Sequence, residues 1–165
     1  MKLATLCLVL DGEYVIFIHR NKDPEDIHYM MHTPPGGKVE EGETPEFCVS
    51  REIKEEIGCT LKDIIYRGIV TFDNRERLKP NGQPFNHSYY VFVYEAQLNY
   101  GDLKKSNDEG DVLRVHKSSI ESLSMHQGDR SMLNWIKEAG NKNKIFSGYI
   151  KLSGMELSEA KAIFY

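Results

Sequence analysis

Cysteine is scarce in this chain: Cys7, Cys48 and Cys59 are the only three, and they form neither a C-x-x-C pair nor an even set. That excludes a disulfide framework and suits reduced thiols in a cytosol, so the expected compartment is cytoplasmic. Long apolar runs are missing as well. No stretch approaches the ~20 apolar residues of a membrane-spanning helix, and no membrane partner is expected. The opening run Met1–Leu10 ends at Asp11-Gly12 without a small-residue cleavage pattern, which marks a strand rather than a secretion signal. Nor does either sign of charge dominate. With 21 Lys and Arg against 25 Asp and Glu the formal net charge is −4, which argues against a non-specific hold on nucleic acid, so no stable nucleic-acid partner is expected. Linkers, repeats and low-complexity tracts are absent. The 165 residues, 40% hydrophobic and 28% charged, are therefore expected to form one domain, 1–165.

What is present alternates between strand and helix signals. Thr5–Leu10 and Tyr14–His19 are β-rich and flank Asp11-Gly12-Glu13, a hairpin turn. A polar, proline-bearing stretch from Arg20 closes on Pro34-Pro35-Gly36-Gly37, which cannot lie inside a helix. Thr44-Pro45-Glu46 then supplies a hydroxyl cap, a proline at the first helical position and an acid at the positive end of the dipole. Phe47, Val49, Ile53 and Ile57 give an apolar stripe and Gly58 a left-handed stop, which predicts a helix over Pro45–Ile57. Beyond it, Ile64–Phe72 and Tyr89–Leu98 read as strands around a long polar loop, Asp73–Ser88. Val112–His116 reads as a further strand, Met132–Ala139 as helix, and Ile145–Leu152 and Ala160–Phe164 as edge strands. The expected class is α+β, a curved mixed sheet with helices on its faces.

Glu52, Glu55 and Glu56 are three and four apart and share one face of that helix. Like charges gathered in this way repel unless a cation compensates, and an oxygen-rich site of this type suits Mg²⁺, with Mn²⁺ as the alternative. A solvated, salt-bridged helix face is the competing explanation of the same residues. The preceding glycines tip the balance, because their bare backbone can approach a ligand and Lys38 beside them can meet a phosphate.

The spacing of Gly37, five residues, Glu43, seven residues, then Arg51-Glu52-Ile53-Lys54-Glu55-Glu56-Ile57-Gly58-Cys59 resembles the Nudix box of MutT-like pyrophosphohydrolases. Only Cys59 departs, where the family carries an aliphatic residue, and cysteine is a small hydrophobe. The match spans residues 37–59, 23 of 165. The resemblance implies a Nudix α/β/α sandwich and a metal-dependent hydrolysis of a nucleoside diphosphate linked to another group. It also implies metal ligation by Glu52, Glu55 and Glu56 with the Gly37 carbonyl, Arg51 orienting Glu52 through a bidentate pair, and Glu43 supporting loop and helix. Glu109, in Asn107-Asp108-Glu109-Gly110, resembles the Glu-Gly step of such enzymes and is a candidate ligand or general base. Catalytic roles thus fall on Arg51, Glu52, Glu55 and Glu109.

Weaker stretches resemble the 8-oxo-dGTP branch: His19-Arg20-Asn21-Lys22 with Pro24 and His28, Gly68–Phe72, Gly128-Asp129-Arg130, Trp135 and Phe146–Tyr149. The resemblance makes Asp129 the reader of an oxidised purine, with a helix N-cap as its rival role. Arg20, Lys38 and Thr33 join it as expected substrate contacts. His32 and His126 stand where that branch often has tryptophans, and Thr33 replaces a common asparagine. A stacking platform would then come from imidazoles or from Phe72, Phe85 and Tyr90. Arg75, Arg77 and Lys79 read first as a solvated basic loop, with a hold on the triphosphate or on a 5′-phosphorylated RNA end as their second role. The expected reaction cleaves a purine nucleoside triphosphate to the monophosphate and pyrophosphate. Its rivals are another diphosphate, such as ADP-ribose or an RNA 5′ end, and a nucleotide sensor without turnover. The expected assembly is a monomer or homodimer.

Overall fold

Alternation along the first strand, β1 (Lys2–Asp11), gives it two apolar faces: Cys7 and Val9 are fully buried on one side, while Ala4, Leu6 and Leu8 pack on the other. A strand of that kind needs cover on both sides, and two helices provide it. The computed structural model describes residues 1–165. After β1 come β2 (Tyr14–His19), β3 (His32–Thr33), β4 (Gly36–Lys38), helix α1 (Pro45–Ile57), β5 (Thr60–Arg77), β6 (Tyr89–Tyr100) and β7 (Asp111–His116). A 3-10 turn (Lys117–Ser122), helix α2 (Gln127–Lys142), β8 (Phe146–Gly154) and β9 (Glu156–Phe164) complete the chain.

The strands form one mixed sheet in the order β3-β2-β1-β6-β5-β8-β9, with β4 beside β1 and β7 beside β2. The pairs β1·β6 and β5·β8 are parallel and the rest antiparallel. On one face Val49, Ile53 and Ile57 of α1 close over Cys7, Val9, Ile16, Ile18 and Tyr94. On the other, Met132, Ile136 and Ala139 of α2 close over Val70, Val91, Val93, Phe146 and Ile150. The result is the expected α+β sandwich.

Helix α1 has the expected bounds. Thr44 Oγ1 accepts the Phe47 N–H, proline opens the helix, and Gly58 at φ 82° returns its N–H to the Lys54 carbonyl. Three expectations are corrected. The loop expected over Asp73–Ser88 begins only at Leu78, because β5 runs on to Arg77 by pairing with β8. Of the two C-terminal strands only β9 is an edge; β8 lies between β5 and β9. Helix α2 begins at Gln127, five residues ahead of the expected Met132. No helix is long and apolar enough to cross a membrane.

Candidate active site

The site is built where β4 crosses β1 and hands the chain to α1. Gly36 and Gly37 lie against Leu6 and Thr5 of β1. A Cβ on Gly36 would fall 2.2 Å from the Thr5 carbonyl oxygen, and one on Gly37 would fall 2.1 Å from the carboxyl carbon of Glu52. No side chain fits between strand and helix here, so the Glu52 carboxylate packs directly on the Gly37 backbone.

Arg51 organises the acids around it. Its Nε and Nη2 form a two-pronged pair with Glu43 at 2.7 and 3.0 Å, Nη1 reaches Glu52 at 2.9 Å and Glu55 at 3.2 Å, and Nη2 also donates to the Lys38 carbonyl at 3.2 Å. The expected bidentate pair is therefore made with Glu43, and Glu52 receives a single bond. The fork places Arg51 between the loop that carries Glu43 and the helix that carries Glu52, and it holds the Glu43 carboxyl down at about 2.

Glu56 reaches the same glycine bend, where its Oε2 accepts the Gly36 N–H at 2.9 Å. Burial, then the charges of Glu109 and Glu52, push its carboxyl up to about 8. Arg20 joins this cluster from β2's end, its Nη1 donating to Glu109 and its Nε to Asp26. Asn107 fixes the turn that presents Glu109: its Oδ1 accepts the Glu109 and Gly110 N–H groups at 2.8 and 3.1 Å.

The four acids thus surround one region without meeting, and no three of them are gathered closely enough to hold an ion between them. Arg51 holds Glu52 and Glu55, and Arg20 holds Glu109. The residues nevertheless fit a divalent cation. The Glu56 carboxyl is raised to about 8 by burial first and then by the charges of Glu109 and Glu52, and a hard cation would relieve that neighbouring negative charge through the oxygens present. Glu52, Glu55, Glu56, Glu109 and the Gly37 carbonyl are the atoms that would hold it.

One consequence is measurable in metal-free protein. Glu56 has a folded value of about 8 against an ordinary 4.5, so the native state keeps a proton that the unfolded chain releases. Stability from this group is whole below pH 4.5 and falls as pH rises through 8, by on the order of a few kcal/mol. Urea unfolding in EDTA at pH 5 and pH 9 should show that fall, and Glu56→Gln should flatten it; an equal slope in both proteins contradicts the assignment.

Next to the acids lies a cavity of about 260 Å³. Gly36, Gly37 and Lys38 line it on the side of the acids, and Thr33, Phe72, Asn74, Arg77, His126 and Asp129 are among its other walls. Of the expected substrate contacts, Arg20, Thr33, Lys38 and Asp129 all border this space. His32 and Tyr90 do not: His32 stacks on His19 at 4.6 Å between centroids, and its ring Nδ1 pairs with the Ser124 carbonyl. The N-cap of α2 is His126, whose Nδ1 accepts the Gly128 N–H at 3.1 Å, so the capping role considered for Asp129 falls away. Asp129 sits in the first turn, 7% exposed, with burial raising its carboxyl to about 6 and Arg77 and Arg20 opposing the rise. Burial lowers the neighbouring His28, with Arg77 and Arg20 adding to the effect, so its ring is neutral.

Two lining residues escape sequence reasoning. Arg77 is 6% exposed and forms no ion pair; its guanidinium lies over the Phe85 ring at 5.3 Å, so the expectation of a solvated loop residue fails for it. Asn74 donates through Nδ2 to the His87 carbonyl at 2.9 Å, yet its buried Oδ1 has no donor. Arg75, by contrast, is exposed and paired with Asp73.

Comparison with known proteins places this geometry. The family model described as "NUDIX domain" matches residues 1–136. The chain belongs to the NUDIX domain family. Within it, the chain is 41% identical over 66 residues to the NAD-capped RNA hydrolase NudC of Mycobacterium tuberculosis, a match covering 39% of this chain and 20% of that one. It therefore spans about a fifth of that relative's length. The Nudix hydrolase YvcI of Bacillus subtilis is 28% identical over 102 residues, covering 62% of this chain and 61% of YvcI. Among solved structures, the mutator MutT protein from Bacillus halodurans superposes with a TM-score of 0.79 over 98% of this chain and 97% of that one. At 23% identity that likeness shows the fold. The matched residues include 37–59, which carry Glu52, Glu55 and Glu56, and also Glu109.

Proposed function

We propose that this Nudix chain is a divalent-cation-dependent pyrophosphohydrolase that cleaves purine nucleoside triphosphates, 8-oxo-dGTP among them, to the monophosphate and pyrophosphate. The observation that carries the proposal is the continuity of two unlike surfaces. Glu52 and Glu56 lie against Gly37 and Gly36, which line the cavity, and the polar groups of Asp129, Arg77 and Asn74 line it together with the rings of Phe72 and Phe85. A polyphosphate at the acids and a flat heterocycle in the cavity satisfy both.

Gly37, Glu52, Glu55, Glu56 and Glu109 would hold Mg²⁺ or Mn²⁺, which would supply charge neutralisation and lower the pKa of water. The chain's own residues do the rest. Glu52 or Glu55 accepts the proton from the attacking water, with Arg51 holding both carboxylates in place. Lys38 at the mouth meets the phosphates as a point charge. Arg20 donates to Glu109 and to Asp26 and itself lines the cavity, so one guanidinium links the acids to that space. In the cavity the Arg77 guanidinium donates to heterocycle acceptors, and Asn74 Oδ1 and Asp129 accept from its N–H groups.

Asp129 gives the base end a pH signature. With its carboxyl raised to about 6, it is a neutral acid at pH 5 and an acceptor-only carboxylate at pH 7. For a guanine-type base, which offers N–H donors, kcat/KM should gain a component as pH passes 6. Asp129→Asn should lose that component and fall about 10- to 100-fold at pH 7.5, mostly through KM. An unchanged pH profile in the variant would remove Asp129 from base recognition.

Similarity to a protein named NAD-capped RNA hydrolase supports a second reading, cleavage of a dinucleotide diphosphate. A panel of dGTP, 8-oxo-dGTP, ATP, NAD and ADP-ribose with Mg²⁺, scored by product, separates the two. The proposal expects pyrophosphate from triphosphates with the oxidised guanine nucleotide turned over fastest; exclusive turnover of NAD or ADP-ribose contradicts it.

A further inference from the structure

We propose that the outer edge of β9 is an interaction surface for a second copy of this chain, paired antiparallel about a two-fold axis through Ala160. This surface lies outside the cavity and the acids, and the inference does not depend on the proposed activity.

Strand β9 ends the sheet, with β8 on one side and no strand of this chain on the other. Its hydrogen-bonding phase can be read from its last residues. Tyr165 donates its N–H to the Ile145 carbonyl at 2.9 Å while Phe164 stands opposite Phe146. In an antiparallel ladder this phase turns the polar backbone groups of Ile163, Lys161 and Glu159 towards β8. Those of Ala160, Ala162 and Phe164 point away from the sheet. The only register irregularity lies near Leu157, so the six residues 159–164 present a regular edge without proline or bulge.

Unpaired edges of this kind accept a further strand, and the side chains select its identity. A two-fold axis at Ala160 places residues whose numbers sum to 320 opposite each other. Glu159 then faces the partner's Lys161, and Lys161 faces the partner's Glu159. Because Ala160 directs its backbone groups outward, its own pair is the hydrogen-bonded one. The Glu–Lys pairs fall at the non-hydrogen-bonded positions, where opposing side chains stand closest. Within each chain Lys161 Nζ already meets Glu159 at 2.6 Å; moving the axis to Ala162, the next residue of the same phase, would set Glu159 against tyrosine 165 and leave that pair without opposite charges across the seam. One register is therefore electrostatically favoured.

The apolar residues agree with it. Ile163 is 64% exposed and Tyr165 66% at one end of the strand, and Met155 is 57% exposed at the other. Antiparallel pairing brings the first end of one copy against the second end of its partner, covering surface that a lone chain leaves in water.

The test is sedimentation velocity of the full chain across ~1–500 µM in low salt, with the variants Glu159→Lys, Lys161→Glu and the double exchange. Wild type should reach twice the 19.0 kDa of one chain. Each single variant opposes like charges twice in the dimer and should raise the dissociation constant about tenfold or more. The double variant restores opposite charges and should return to near the wild-type value. Circular dichroism should be unchanged throughout, since both side chains are exposed. A wild type that stays monomeric at every concentration, single variants that pair as wild type does, or a double variant that stays as weak as the singles would each overturn the proposal.

Discussion

Glu52→Gln lowers kcat/KM by about 10²- to 10⁴-fold while leaving the fold intact, the range expected when a group that carries a proton or a metal in the transition state is neutralised. The substitution preserves shape. A glutamine oxygen still accepts from Arg51 Nη1, now at 2.9 Å from Glu52, and the side chain still packs on Gly37. What changes is the charge offered to a cation and the capacity to take a proton. The loss should therefore appear in kcat and in the concentration of Mg²⁺ needed for half-maximal rate, with the thermal midpoint nearly unmoved. Activity within tenfold of wild type would show that the carboxylate pressed against the glycine bend has no part in the chemistry.

Arg51→Lys is expected to damage both activity and stability. Arg51 spreads its donors over Glu43, Glu52, Glu55 and the Lys38 carbonyl, and its own side chain is only 19% exposed. Lysine keeps the charge but has no planar fork, so it serves one or two of those acceptors. The Glu43 carboxylate, 6% exposed, is left short of its partner in a place water barely reaches. Leaving such a group under-satisfied lowers stability, and freeing Glu52 and Glu55 to move should lower kcat about 100-fold. Urea unfolding together with steady-state kinetics measures both. A variant that loses rate without losing stability would mean the fork orients the acids without bracing the loop.

The parts of the site legible in sequence are those set by local rules. Thr44, Pro45 and Gly58 each act within one turn of the helix end, so the bounds of α1 follow from their chemistry alone. The i, i+3, i+4 spacing likewise fixes which glutamates share a face. What that spacing cannot give is which cation each acid meets. Arg51 lies next to Glu52 in sequence, yet it sends its fork eight residues back to Glu43, because the loop folds over the helix.

The cavity was less legible because its walls depend on pairing between distant strands. Asn74 and Arg77 are three apart and would face opposite sides of a regular strand. Between Asp73 and Glu76 the β5·β8 register slips by one residue, and both then line the cavity. Pro80-Asn81-Gly82 made the whole of 73–88 look like loop, since nothing local announces that β8 will pair with residues 73–77. His32 shows the converse. Its resemblance to a tryptophan position suggests a stacking platform, but alternation along β3 turns it to His19 while Thr33 lines the cavity.

The central claim is that Glu52, Glu55, Glu56 and Glu109 together hold a divalent cation beside a polyphosphate. The most direct measurement is electron paramagnetic resonance of Mn²⁺ titrated with the full chain and a non-hydrolysable nucleoside triphosphate. The signal of free Mn²⁺ should fall well beyond what nucleotide alone achieves, and the double variant Glu52→Gln, Glu56→Gln should abolish that excess. An excess of equal size in the double variant, or none in the wild type, would contradict the account.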